Sequence, residues 1–133
     1  MKFISENEAI LARPNNANNQ KRMKKLTDFE INKKITDLHD WDFYDGALHT
    51  DFEFDNFKDC MSAMNRIAFE CEALNHHPEW TNVYNTLDIT LTTHDVNGVT
   101  ELDFKLAHAI NKIVEVEDKF YEENNYIYFF INH

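Results

Sequence analysis

Apolar and polar positions along the chain change period several times, and each change predicts an element. The longest regular stretch follows Asp55: Phe57, Cys60/Met61, Met64, Ile67/Ala68, Cys71 and Leu74 recur at steps of three and four, giving one face of a long helix a continuous apolar stripe. Asp55 is a good N-cap for it. Asn75 suits a left-handed helix end and Pro78 biases His77 towards extended backbone, so the helix is expected to stop around His76. Ahead of it, Leu48, Thr50, Phe52 and Phe54 alternate with His49, Asp51, Glu53 and Asp55, the period of a strand with one buried face. Trp41 to Tyr44 reads as a short strand, and the Asp45-Gly46 turn signal predicts that it pairs with the next one.

Upstream, Thr27 or Asp28 caps a helix with Phe29, Ile31, Ile35 and Leu38 as its apolar stripe, ending before Trp41. Downstream, Val83, Leu87, Ile89 and Leu91, interrupted by Asn85, line one face of a strand running to about Thr93, and a turn through Asp95 to Gly98 follows. Thr100-Glu101-Leu102-Asp103 has the form of a capping box with Asp in the place of Glu, and Leu102, Leu106, Ala109/Ile110, Ile113 and Val116/Phe120 continue it as an amphipathic helix.

The ends differ from this middle. Residues 1–25 are polar and Asn-rich and close on Lys21-Arg22-Met23-Lys24-Lys25, too little apolar surface to offset the entropy of ordering, and are expected to form a flexible arm. The basic run reads as a solvated flank, with a nuclear address as the less favoured alternative. The aromatic tail around Tyr126 to Ile131 is β-prone and a poor segment to leave in water, so it is expected to pack as an added strand or at a subunit contact. The divisions are thus an arm over 1–25, a domain over 26–118 and an extension over 119–133.

Composition narrows the function. With 133 residues, 43% of them hydrophobic, the chain has the material for one domain with a sizeable core. Its two glycines, Gly46 and Gly98, stand alone, which excludes Gly-rich phosphate loops. A net charge of −11 would repel a nucleic-acid backbone. Cys60 and Cys71 lie on one predicted helix about 16 Å apart, beyond disulfide reach, and read as buried thiols in a reducing compartment. No secretory core or run long enough for a bilayer is seen, so a cytoplasmic location is expected.

Chemistry concentrates at three element ends: Glu72-Ala73-Leu74-Asn75-His76-His77-Pro78, Thr92-Thr93-His94, and Asp103. Imidazoles take and give protons near neutrality, so several converging at element ends make an acid–base site. Spacing alone leaves other readings open: a polar loop for His76 and His77, an exposed strand end for His94, and a carboxylate favoured by the helix dipole for Asp103. Glu72 lies four residues before His76 and would meet it on one face if the helix persisted. Metal binding is disfavoured because neighbouring His76 and His77 in extended backbone point to opposite sides.

Glu72-xx-Asn75-His76-His77-Pro78-Glu79-Trp80-xx-Val83-Tyr84-Asn85, then Leu91-Thr92-Thr93-His94 and Asp103, resembles the signature of the pterin-4a-carbinolamine dehydratases. Leu26-Thr27 with Glu30, Trp41, Phe52-x-Phe54 and Leu106-Ala107 extend the likeness over roughly residues 26 to 117. The resemblance implies an α+β fold, a four-stranded antiparallel sheet with helices on one face in the order α-β-β-α-β-β-α, assembling as a homodimer or homotetramer. It implies dehydration of 4a-hydroxytetrahydropterin, the product of aromatic amino acid hydroxylases, without metal or organic cofactor. By position His76 and His94 match the acid–base histidines and His77 one more concerned with binding pterin. Glu72 and Asp103 match carboxylates near the site, Thr92 and Thr93 a segment along the pterin, and Trp80 an aromatic at the pocket wall. Asn75 departs from the pattern, where Asp is common. The alternatives are a non-enzymatic dimerisation cofactor of the same fold, as some animal members are, and an enzyme acting on another pterin, such as one of molybdopterin metabolism.

Overall fold

The computed structural model describes residues 23–115. In chain order these form α1 (Asp28–Lys34) with a 3-10 turn at Ile35–Asp37, β1 (Asp42–Tyr44), β2 (Ala47–Glu53), α2 (Phe57–Leu74), β3 (Glu79–Val83), β4 (Thr86–Leu91), a 3-10 turn at His94–Val96, and α3 over 101–115. The four strands make one antiparallel sheet in the order β1-β2-β4-β3. This is the expected α+β order. The expected arm, apart from its last three residues, and the C-terminal extension lie outside the described residues.

Alternation in the central strands sorts the sheet into two faces. Leu48 from β2 and Leu87, Ile89 and Leu91 from β4 enter the core, where they meet Ile31 of α1, Cys60, Ala63, Ile67 and Cys71 of α2, and Leu106 and Ile110 of α3. Asp51, Glu53 and Asp88 on the opposite face are exposed. Among the described residues the helices therefore cover one side of the sheet, as a sheet with one apolar face requires.

Local signals set the element ends. Thr27 caps α1 through a full capping box with Glu30. The β1–β2 turn places Asp45 and Gly46 at φ 49° and 71°, the paired left-handed geometry of tight hairpins. Asn56, not Asp55, caps α2, its side chain accepting from the Asp59 N–H at 2.8 Å. Phe29 is 78% exposed and does not join the Ile31 stripe, because residues two apart on a helix face different ways.

The strand expected from Val83 to about Thr93 is two strands. Tyr84 adopts φ 51°, and Tyr84-Asn85 make a two-residue turn that pairs Val83 with Thr86 and Asn82 with Leu87. That register puts Asn82 on the inner face with Leu87, where its amide donates to the Thr86 carbonyl at 2.9 Å, and leaves Val83 66% exposed. Ile89, paired with Thr50 on one side and Trp80 on the other, sits at the middle of the inner face. Ile89→Ala should lower the unfolding free energy by about 3 kcal/mol, and Val83→Ala by less than about 1 kcal/mol, in urea titrations followed by circular dichroism. Equal losses would mean that the register is wrong.

Candidate active site

The site begins where α2 ends. Asn75 takes the left-handed conformation, φ 48° and ψ 45°, and the His76 N–H reaches back to the Cys71 carbonyl at 3.0 Å. This turn lifts the next residues off the helical track, and Pro78 then commits the chain to β3. His76 consequently turns inward and is 7% exposed, whereas His77 points outwards. Glu72 meets His77 at 2.8 Å, not His76 as helical spacing had suggested, since the left-handed turn ends the helical register before His76.

Asp103, with no exposed surface, stands in the first turn of α3 and hydrogen-bonds His76 Nε2 through Oδ1. Its Oδ2 accepts from the Thr100 N–H at 2.9 Å and the Thr93 hydroxyl at 2.8 Å. Thr100 Oγ1 in turn accepts from the Leu102 N–H at 3.2 Å. The carboxylate half of the expected capping box is therefore formed, while the Thr100 hydroxyl caps the Leu102 N–H in place of the Asp103 N–H, and the same carboxylate also holds a histidine. Asp103 thus serves the start of α3 through Oδ2 and holds His76 through Oδ1.

The third segment is fixed by Thr93. Its backbone bridges to Gly98, N–H to carbonyl at 2.8 Å and back at 3.3 Å, closing a short loop that contains the His94–Val96 turn. His94 projects from that loop, its ring 73% exposed and Nε2 4.0 Å from Glu79 Oε1 on β3. Thr92 is half-buried, its hydroxyl donating to the Gly98 carbonyl at 3.2 Å. Trp80 is half-buried at the sheet edge, and Asn75 is exposed at the turn. One hydrogen-bonded unit thus joins His76 and Asp103 to the residue preceding His94. Thr100 and Glu79 are the contributions that a search for chemistry in the sequence passed over. Thr100 was visible only as a helix cap, and Glu79 pairs with His94 across a distance along the chain that no local pattern encodes.

Beneath the turn, burial together with the neighbouring Glu72 and Glu70 charges raises the Cys71 thiol to about 11, and burial also raises Cys60. Both are free thiols. At pH 8 the thiolate fraction is small and the sulfurs are covered, so neither cysteine should be alkylated by iodoacetamide in the folded protein, and both should react in urea. Rapid native labelling of Cys71, read by mass spectrometry, would contradict this packing.

A family model described as pterin 4 alpha carbinolamine dehydratase matches residues 24–113. A protein of Christiangramia forsetii, provisionally named a pterin-4-alpha-carbinolamine dehydratase, is 53% identical over 93 residues, covering 70% of this chain and 96% of the relative. One from Chelativorans with the same provisional name is 49% identical over 90 residues, 66% of this chain and 92% of its own length. Among solved structures, a transcriptional coactivator/pterin dehydratase from Brucella melitensis superposes with a TM-score of 0.66 at 42% identity, covering 68% of this chain and 98% of that one.

Proposed function

We propose, from the premise that the chain belongs to the pterin 4 alpha carbinolamine dehydratase family, that it removes water from a 4a-hydroxytetrahydropterin and so returns the spent pterin of aromatic hydroxylation towards reuse. The observation that carries the reading is the buried His76–Asp103 pair. Elimination breaks the C4a–O bond, takes the proton from N5 and forms the N5=C4a double bond, with the hydroxyl leaving as water. It needs one group to accept the N5 proton and one to give a proton to the departing oxygen.

His76 suits the first task. Its Nε2 is committed to Asp103, so its Nδ1 is the nitrogen left to take a proton, and the carboxylate behind it stabilises the imidazolium that forms. His94, exposed on its loop, supplies the second proton transfer. His77, held by Glu72, serves to bind the pterin, with Trp80 as an apolar wall and Thr92 and the Thr93 backbone lining the approach. Asn75 contributes through the left-handed turn that sets both histidines.

His76→Ala and His94→Ala should each lower kcat on chemically generated 4a-hydroxytetrahydropterin by about 10²-fold, and His77→Ala should act mainly on KM. A wild-type rate equal to the uncatalysed one, or rates unchanged in both alanine variants, would sink the proposal.

Self-association is proposed alongside, resting on two large apolar side chains that α2 leaves exposed, Phe57 at 49% and Phe69 at 75%. Sedimentation should find a homodimer or homotetramer. A monomer at all concentrations would contradict it.

A further inference from the structure

Thr93 and Thr100 do more than fill the space behind Asp103. Both are buried, Thr93 at 4% exposure and Thr100 at 0%, and their hydroxyl oxygens lie 2.8 Å apart. Thr93 Oγ1 is also 2.8 Å from Asp103 Oδ2. A hydroxyl has a single hydrogen to give, and a carboxylate is a stronger acceptor than another hydroxyl. Thr93 therefore donates to Asp103, and Thr100, whose other acceptor is the weak and distant Met23 Sδ at 3.9 Å, is the donor to Thr93 at 2.8 Å. The order is Thr100 O–H to Thr93 Oγ1, Thr93 O–H to Asp103 Oδ2, and His76 Nε2–H to Asp103 Oδ1.

We propose that Thr93 and Thr100 are positioning residues that set the tautomer of His76 through Asp103. The inference rests on the reading of His76 as the base. With the Thr93 hydroxyl and the Thr100 N–H both donating to Oδ2, the carboxylate is fixed in rotation and Oδ1 faces the ring as an acceptor. An acceptor at that place puts the imidazole hydrogen on Nε2 and leaves the Nδ1 lone pair for the substrate. Without the two hydroxyls the carboxylate keeps a single backbone donor on Oδ2 and gains freedom to swing out of hydrogen-bond reach of the ring, and the opposite tautomer, with its hydrogen on Nδ1 and no base to offer there, becomes populated.

The same residue ties the two proton-transfer groups together. The Thr93 side chain braces Asp103, while its backbone bridge to Gly98 closes the loop from which His94 projects. A stiff, β-branched side chain suits this double role, because its rotamer is set by the backbone whose position fixes His94.

The test is Thr93→Val, which keeps shape and branching and removes only the hydroxyl, with Thr100→Val beside it and Thr93→Ser as the conservative rescue. Long-range 1H–15N spectra should show wild-type His76 protonated at Nε2 and unprotonated at Nδ1. Thr93→Val should show the two tautomers mixed, with kcat on 4a-hydroxytetrahydropterin lowered roughly tenfold, the scale of one hydrogen bond to a charged group, and KM within about twofold. Thr93→Ser should return both readouts towards wild type, which a loss of packing alone would not predict. Circular dichroism confirms that each variant is folded at the assay temperature. A wild-type His76 signature in both valine variants would overturn the proposal whatever their activity. A wild-type enzyme that shows the Nε2–H signature but no dehydration would instead overturn the dehydratase reading and leave the brace standing.

Discussion

A carboxylate that folds into a protein with no exposed surface needs hydrogen-bond donors for its oxygens, since an unpaired buried charge costs several kcal/mol or more. Asp103 meets that requirement with donors from three places: the His76 ring, the Thr93 hydroxyl and the Thr100 backbone N–H. These belong to the turn after α2, the segment after β4 and the start of α3. The three segments cannot be placed independently, because each supplies a donor that the others cannot replace. The apolar core gives the fold most of its stability, but this polar junction fixes how one end of the sheet and two helices meet.

The constraint spreads outward through backbone contacts. Thr93 bridges to Gly98, and the next residue, Val99, accepts the Leu26 N–H at 2.9 Å, so the entry to α1 is anchored beside the start of α3. The exposed Lys25 side chain lies across Gly98, its Cε 2.5 Å from where a Cβ would stand. At another contact between the same two regions, Trp41 donates from its indole to Asn111 at 2.8 Å, and Asn111 donates to the His39 carbonyl at 2.9 Å. The exposed His94 is thus carried on a segment whose backbone is pinned, while the exposed His77 is held through its ring by Glu72.

Much of this was legible in the sequence because it is local. The apolar steps from Phe57 to Leu74, the Asp45-Gly46 turn, the left-handed Asn75 and the Thr100 to Asp103 cap all follow from periodicity or from one side chain bonding its neighbours. The readings that changed are those in which a nearby alternative competed. Asn56 displaced Asp55 as the cap of α2. Tyr84, a residue type seldom found at positive φ, made a turn that no glycine announced, and so reassigned Val83 to another strand and another face. Glu72 paired with His77 because a left-handed residue breaks the four-residue helical relation to His76. For the site, the types and spacing of His76, His77, His94 and Asp103 were readable, and the resemblance they carry named the family. Which oxygen of Asp103 serves the helix and which serves the histidine depends on packing between segments far apart in the chain.

The division of labour within one carboxylate links the fold to the proposed chemistry. Oδ2 closes the helix start, Oδ1 orients His76, the proposed base, and a change that spares the first while inverting the second isolates the catalytic proposal. Asp103→Asn does this: its remaining oxygen can accept from Thr100 and Thr93, while its amide presents donors to His76 and favours the tautomer with hydrogen on Nδ1. The decisive measurement is the steady-state dehydration of 4a-hydroxytetrahydropterin by folded Asp103→Asn. If Asp103 sets the tautomer of His76, kcat falls by about 10²-fold or more while the circular dichroism spectrum stays that of the wild type. A folded variant turning over at the wild-type rate would contradict that role.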